Sequence, residues 1–339
     1  MYNSTIAAIS TAQGAGGIGV IRISGDDALI IADKIFVGIN KEKLVESKGY
    51  TAHFGHIFYN DEKVDECIAT VFRAPLSYTG ENVVELSCHG GIFVTKQVLR
   101  AVLDNGAIIA QAGEFTKRAF LNGKLDLTEA EAVMDIISAK SDAAGKAALS
   151  VHEGMLSKKI NDIKDDLVMR AAHLCAWADY PEEDIEEIEF DTLKNSLKNS
   201  VEKLSDLLDN YDKGKVIREG IDTVIVGRPN VGKSTLMNLI TGYDKSIVTD
   251  IAGTTRDIVE ETAIVKNITL HLSDTAGIRD ASNAIEKIGV DKAKKRLNTA
   301  ELVIAVFDGS VSLTDDDLSL LTEINSSNCI AVINKEDLD

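Results

Sequence analysis

The sequence has little proline, few cysteines, no long apolar run and a shortage of positive charge. Three prolines in 339 residues and no low-complexity tract exclude a disordered chain, since 45% apolar and 27% charged residues are ordinary for a packed globular protein. Nothing approaches the about 20 apolar residues of a membrane span, and the N-terminal MYNSTIAAIS lacks the basic start and apolar run of a secretory signal, which predicts a cytoplasmic protein with no membrane partner. Cys67, Cys88, Cys175 and Cys329 are scattered with no C-x-x-C, so neither a disulfide framework nor a zinc knuckle is suggested and reduced thiols are expected. A formal net charge of −18 argues against a chain that coats nucleic acid by bulk electrostatics. The acidic excess is heaviest over 121–219, where PEEDIEEIEFD (181–191) reads as a solvated face.

What the chain does contain falls into three textures, as its length leads one to expect. Over 1–119, short β-rich runs (5–10, 19–23, 67–72, 83–87) alternate with a helical stretch at 92–103 and Gly-rich turns, an α/β pattern. Over 120–218, apolar residues recur every three or four positions from Leu127 to Tyr180, and again over 190–211 (Leu193, Leu197, Val201, Leu204, Leu208) beyond Pro181. Two long helices in an all-α domain are predicted, with their stripes as bundle core. Over 219–339, strand, Gly-rich loop and helix (IDTVIVG, RPNVGK, STLMNLIT) precede three more strand-like runs at 268–273, 301–308 and 329–334, as in a doubly wound nucleotide-binding fold.

Gly227-Arg228-Pro229-Asn230-Val231-Gly232-Lys233-Ser234 fits G-x-x-x-x-G-K-[ST] between a buried strand and a helix start. Such a loop converges backbone N–H groups on phosphate oxygens, aided by the helix dipole, with Lys233 for the β/γ-phosphates and Ser234 for Mg²⁺. Asp274-Thr275-Ala276-Gly277 closes the 268–273 strand as a switch loop, and Gly253-Thr254-Thr255-Arg256-Asp257 lies where a hydroxyl completes Mg²⁺ coordination. Asn334-Lys335-Glu336-Asp337 is an N-K-x-D whose Asp can meet the guanine N1 and N2 donors, favouring GTP over ATP and arguing against a P-loop ATPase. The position after the D-T-A-G motif, where small GTPases orient water with Gln, is Ile278, and neither Arg256 nor Arg279 is identifiable from sequence as an arginine finger.

The chain resembles the tRNA modification GTPase MnmE (TrmE) family throughout its length. The resemblance is carried by GAGGIGVIRISG (14–25), YTGENVVELSCHGG (78–91), GEFTKRAFLNGKLDLTEAEAVMDIISAK (113–140), DYPEED (179–184), GRPNVGKSTLMN (227–238), IVTDIAGTTRD (247–257) and DTAGIRDASNAIEKIG (274–289). It implies a folate-binding, dimerising α/β domain, a helical domain and a G domain inserted into it. It further implies a GTP site of Asn230, Val231, Gly232, Lys233, Ser234, Thr235, Thr249, Asp250, Ile251, Ala252, Gly253, Thr254, Thr255, Asp274, Thr275, Ala276, Gly277, Asn334, Lys335 and Asp337. Mg²⁺ ligands map to Ser234 and Thr255, and K⁺ ligands to Asn230, Thr249, Ile251 and Thr254. The catalytic carboxylate maps to Glu286, which would orient water in place of the missing Gln. Folate contacts map to Arg22, Glu85 and Lys124, residue types that suit a pterin edge and folate carboxylates.

The implied function is K⁺-activated GTP hydrolysis coupled, with the FAD-dependent partner MnmG, to aminomethyl-type modification at C5 of the wobble uridine of tRNA. A homodimer would use 5-formyl- or methylene-tetrahydrofolate as one-carbon source. A GTPase switch in ribosome assembly shares the nucleotide motifs but does not require the first 120 residues. Family members continue past the position of Asp339 through a last strand and helix, a second guanine loop and a Cys-containing C-terminus, so a longer protein is expected. Neither Cys88-His89 nor His53-x-x-His56 has the further ligands of a metal site.

Overall fold

The computed structural model describes residues 4–12, 14–180, 189–242, 260–274, 299–324 and 328–338. The chain divides into two compact units, Met1–Val133 and Met134–Asp339.

The first unit is built on a seven-stranded sheet. Its strands are β1 (Ile6–Ile9), β2 (Ile18–Ser24), β3 (Phe36–Gly38), β4 (Thr51–Tyr59), β5 (Glu62–Phe72), β6 (Val83–His89) and β7 (Ile108–Ile109), in the order β3-β4-β5-β6-β2-β1-β7. Neighbours pair antiparallel except β1 and β7. Period-two alternation sends Ile21, Ile23, Val84, Leu86, Cys88, Cys67, Ala69 and Val71 to one face, where α1 (Ala28–Ile35) and α2 (Ile92–Asp104) cover them with Ile31, Ile35, Val98 and Val102. The same alternation leaves Arg22 and Glu85 on the opposite face, directly opposite each other in the β2–β6 register. The β4–β5 hairpin, not anticipated from the sequence, turns on Asn60 and Asp61, both with positive φ, the conformation of a two-residue hairpin loop. Burial pushes both core thiols up, Cys88 to about 11, which leaves them poor nucleophiles.

Helices follow: α3 (Glu114–Leu121), α4 (Leu127–Ser138), α5 (Asp142–His152), α6 (Met155–Asp179), α7 (Phe190–Asp209) and α8 (Tyr211–Glu219). The single long helix expected from Leu127 to Tyr180 is three helices. Ser141 Oγ accepts from Ala144 N at 3.2 Å and starts α5 as an N-cap, while Gly154, with φ +79°, closes α5 in the left-handed conformation that favours glycine. Apolar spacing runs on through both breaks, so periodicity alone could not show them. Lys213-Gly214-Lys215 lies inside α8, and the helical run ends at Gly220. Most of the acidic run at 181–191 lies outside the described residues.

The rest of the second unit is a five-stranded sheet of β8 (Ile221–Val226), β9 (Glu260–Val265), β10 (Ile268–Asp274), β11 (Leu302–Asp308) and β12 (Cys329–Asn334), with α9 (Lys233–Gly242) and α10 (Asp315–Glu323). The order is β12-β11-β8-β10-β9, parallel but for the edge strand β9. Ile225, Leu272, Ile304 and Val306 pack with Met237 of α9, and Val224, Val226, Val303, Ala305 and Phe307 form the other core with Leu320 of α10. A sheet buried on both faces accounts for the continuous apolar runs of β8 and β11. The Glu260-Glu261 start of β9 hid that strand, which only an antiparallel partner at the sheet edge makes regular.

Candidate functional site: a phosphate loop and a polar sheet face

The phosphate loop leaves the carboxyl end of β8 in the middle of the sheet, where parallel α/β sheets bind ligands. Gly227 has φ +152°, and a Cβ there would stand 2.4 Å from the Val306 carbonyl oxygen, so only glycine lets the chain turn this close to β11. Asn230 sits exposed at the loop tip with φ +64°, Val231 is buried beneath it, and Gly232 and Lys233 lead into α9. Lys233 Nζ donates to the carbonyls of Gly227 at 3.0 Å and Arg228 at 2.8 Å, which holds its ammonium inside the curve of the loop. Ser234 and Thr235 follow in the first turn of α9, both exposed. Backbone N–H groups at a helix start, a held lysine and a hydroxyl are groups that can meet phosphate oxygens.

The end of β12 reaches the same loop. Asn334 Nδ2 donates to the Val231 carbonyl at 2.8 Å, tying the guanine motif to the phosphate loop. Lys335 Nζ pairs with Asp308 Oδ2 at 2.7 Å, and Lys335 and Ser310 together hold the Asp308 carboxyl down at about 2. Asp337 is exposed in the turn Glu336–Leu338 that follows. Asp274 ends β10 beside Ile225 of β8. Thr249, Asp250, Ile251, Ala252, Gly253, Thr254, Thr255, Thr275, Ala276, Gly277 and Glu286 lie outside the described residues, as do Arg256, Ile278 and Arg279.

In the first unit the sheet brings together residues 63 apart in sequence. Arg22 Nε donates to Glu85 Oε1 at 2.8 Å, and the guanidinium lies 5.2 Å from the Tyr78 ring centroid and 5.5 Å from that of Phe115. Cation–π contact on two rings together with an ion pair fixes the plane of the guanidinium. Tyr78 and Phe115 were missed from sequence, because nothing in one chain marks which aromatic will meet which arginine. The third expected residue, Lys124, is exposed and its stem runs beside Gly80, in the same loop as Tyr78.

Beneath that loop lies a second ion cluster. Arg118, 1% exposed, donates to both oxygens of Glu81 at 3.2 Å, to Glu114 at 3.0 Å and to the Ser4 carbonyl at 2.9 Å. Ser24 Oγ donates to Glu81 at 2.7 Å and shares a 2.7 Å hydrogen bond with Thr79 Oγ1, while Asn122 Nδ2 donates to the Thr79 carbonyl. The buried Arg118 guanidinium, held between Glu81 and Glu114, supports the segment that carries Tyr78.

No group of three or more metal-ligating His, Cys, Asp or Glu side chains occurs among the described residues. His53 and His56 lie three apart on β4, hence on opposite faces, and His89 is bound to Asp65 at 2.7 Å. No described helix is long and apolar enough to cross a membrane.

Comparison with known proteins places both units. The family model for the GTP-binding protein TrmE N-terminus matches residues 5–124, and that for the MnmE helical domain matches residues 127–330. The tRNA modification GTPase MnmE of Clostridioides difficile strain 630 is 46% identical over 336 residues, 99% of this chain and 73% of that protein. That of Acetivibrio thermocellus is 47% identical over 341 residues, covering 100% of this chain and 74% of its own. Among solved structures, the G domain of the T. maritima FeoB iron transporter is 32% identical over 34% of this chain and 73% of its own, with a TM-score of 0.26. With two family models spanning 5–124 and 127–330 and relatives 46–47% identical across its length, the chain belongs to the tRNA modification GTPase MnmE family.

Proposed function

We propose that this GTPase hydrolyses GTP with K⁺ activation and, as a homodimer working with an FAD-dependent MnmG-type partner, supplies a folate-derived one-carbon unit to the wobble uridine of tRNA. The three segments 1–119, 120–218 and 219–339 serve as folate-binding and dimerisation domain, helical domain and G domain. The observation that carries the folate part is the Arg22–Glu85 pair between Tyr78 and Phe115, with Lys124 beside the same loop. A carboxylate held on an aromatic-flanked arginine offers acceptors to the donor edge of a pterin and a flat surface for its ring, while an exposed lysine suits the glutamate carboxylates.

In the G domain, Asn230 to Thr235, Asn334, Lys335 and Asp337 bind GTP, together with Thr249 to Thr255 and Asp274 to Gly277. Lys233 neutralises the β/γ-phosphates and Asp337 reads the guanine N1 and N2 donors. Ser234 and Thr255 hold Mg²⁺, and Asn230, Thr249, Ile251 and Thr254 hold K⁺. The K⁺ supplies the positive charge that an arginine finger supplies elsewhere. Glu286 orients the attacking water, a task for which Ile278 has no hydrogen-bonding group.

Calorimetric titration of 5-formyltetrahydrofolate into the full chain tests the folate site. Saturable binding that disappears in Glu85→Ala is expected, with GTP affinity unchanged; absence of binding by a folded dimer would favour a GTPase switch with another partner. Exchanging Na⁺ for K⁺ raises the hydrolysis rate if the cation site is correct, and equal rates in the two salts reject it.

A further inference from the structure

The phosphate loop is anchored on both sides of the sheet, and one of its anchors belongs to no nucleotide motif. Its carboxyl half runs into α9 on one face. Its amino half is tied to the opposite face by Arg228, whose Nε donates to Asp317 Oδ1 at 2.8 Å. Asp317 is 1% exposed, and its other oxygen, Oδ2, accepts from Thr314 N at 3.0 Å and Thr314 Oγ1 at 2.9 Å in the capping box of α10. Both carboxylate oxygens are thus engaged, and the carboxylate is oriented by the helix it caps. That helix is in turn fixed to β11 by Leu320 and Ile324.

Arg228 is also the residue whose backbone carbonyl receives Lys233 Nζ. Its side chain fixes where that carbonyl stands, and the carbonyl helps fix the phosphate lysine. The Asp317 carboxylate therefore acts on the loop through a rigid chain of three contacts, from α10 cap to Arg228 to Lys233. We propose that Arg228 and Asp317 are a positioning pair for GTP and GDP binding, holding the phosphate loop in its binding shape against the α10 side of the sheet. The pair touches no phosphate itself. It lowers the ordering cost of binding by pre-setting the loop, and it acts on both nucleotides because the Lys233 it positions meets the β-phosphate that GTP and GDP share. The proposal rests on the assignment of 227–234 as the phosphate loop.

The test uses the full chain with fluorescent GDP and GTP analogues, steady-state hydrolysis and thermal unfolding, on Arg228→Gln, Asp317→Asn, the double variant and Arg228→Lys. Arg228→Gln is expected to weaken both nucleotides about tenfold, the scale of one charge-assisted hydrogen bond, and to raise KM with kcat nearly unchanged. Arg228→Lys, which keeps the charge, recovers part of the loss. The double variant binds no more weakly than either single one, because the two act as a unit. Thermal unfolding separates loss of binding from loss of fold, and an Arg228→Gln chain that is folded at the assay temperature carries the test even where Asp317→Asn loosens α10. Unchanged affinity in Arg228→Gln, or losses in the two single variants that add, overturns the positioning pair. Lys233→Ala run in parallel separates the two levels: if it binds nucleotide as tightly as the wild type, the phosphate-loop assignment fails and the pair with it.

Discussion

The two polar sites of this chain are built in opposite ways. The phosphate loop is contiguous: eight residues, 227–234, make it mostly from backbone, with the Asn334 amide reaching in from β12. The cluster on the first sheet is assembled from side chains on four separate segments, with Arg22 on β2, Tyr78 in a loop, Glu85 on β6 and Phe115 on α3. A backbone site needs only a local conformation that glycine and the helix start dictate. A side-chain site needs a register, and one residue of slip between β2 and β6 would send Arg22 and Glu85 to opposite faces. The first kind depends on one short stretch of backbone and the few side chains that hold it, while the second stands or falls with the whole sheet.

This contrast can be broken at its strongest point first. Lys233→Ala removes the lysine held inside the loop's curve, and GTP turnover is expected to fall about 10²–10³-fold, the scale for deleting one preorganised charge-stabilising donor. A single-turnover assay checks it, with circular dichroism to show an unchanged fold. Asp337→Asn comes next. Loss of a charged acceptor from the base site is expected to cost about 1.5–3 kcal/mol of guanine binding and to narrow the preference for GTP over xanthosine triphosphate, read by competition.

The side-chain site is probed by Arg22→Lys, which keeps the charge but not the flat guanidinium. Folate binding is expected to weaken about tenfold while GTP affinity stays put, because a point charge does not reproduce the stacked, ion-paired geometry. Full retention of folate binding would mean that charge alone matters there and that the two rings are bystanders.

The smallest effect is a pH dependence. Asp308 is held at about 2 by Lys335 and Ser310, below the about 3.9 of an unfolded aspartate. Because the folded value is the lower one, the pairing's contribution is complete above about pH 4 and is lost as pH falls toward about 2. Carboxyl NMR titration of Asp308 shows this directly, and Lys335→Met returns its midpoint toward the ordinary range.

Much of the architecture was legible in sequence because it depends on local rules. The strand-loop-helix of the phosphate loop, the strands at 221–226, 268–274 and 302–308, and the α2 stretch all follow from periodicity and glycine placement. The helical run was read as too long, since apolar spacing does not reveal a Ser141 cap or a left-handed Gly154 until the chain turns there. The edge strand β9 was invisible for a related reason: Glu260-Glu261 is a poor strand start without β10 to pair with.

What the sequence determined by itself is therefore the chemistry that lies within one short stretch: a phosphate loop, a guanine motif at a strand end, the absence of a long apolar span, and the family to which the chain belongs. What only the tertiary structure decided is every pairing between distant residues. Arg22 with Glu85 and its two rings, Arg118 with Glu81, Asn334 with Val231, and Arg228 with Asp317 join residues from 37 to 103 positions apart. A side chain's chemistry is written in its own residue, but its partner is chosen by strand register and helix packing, which depend on the whole core at once.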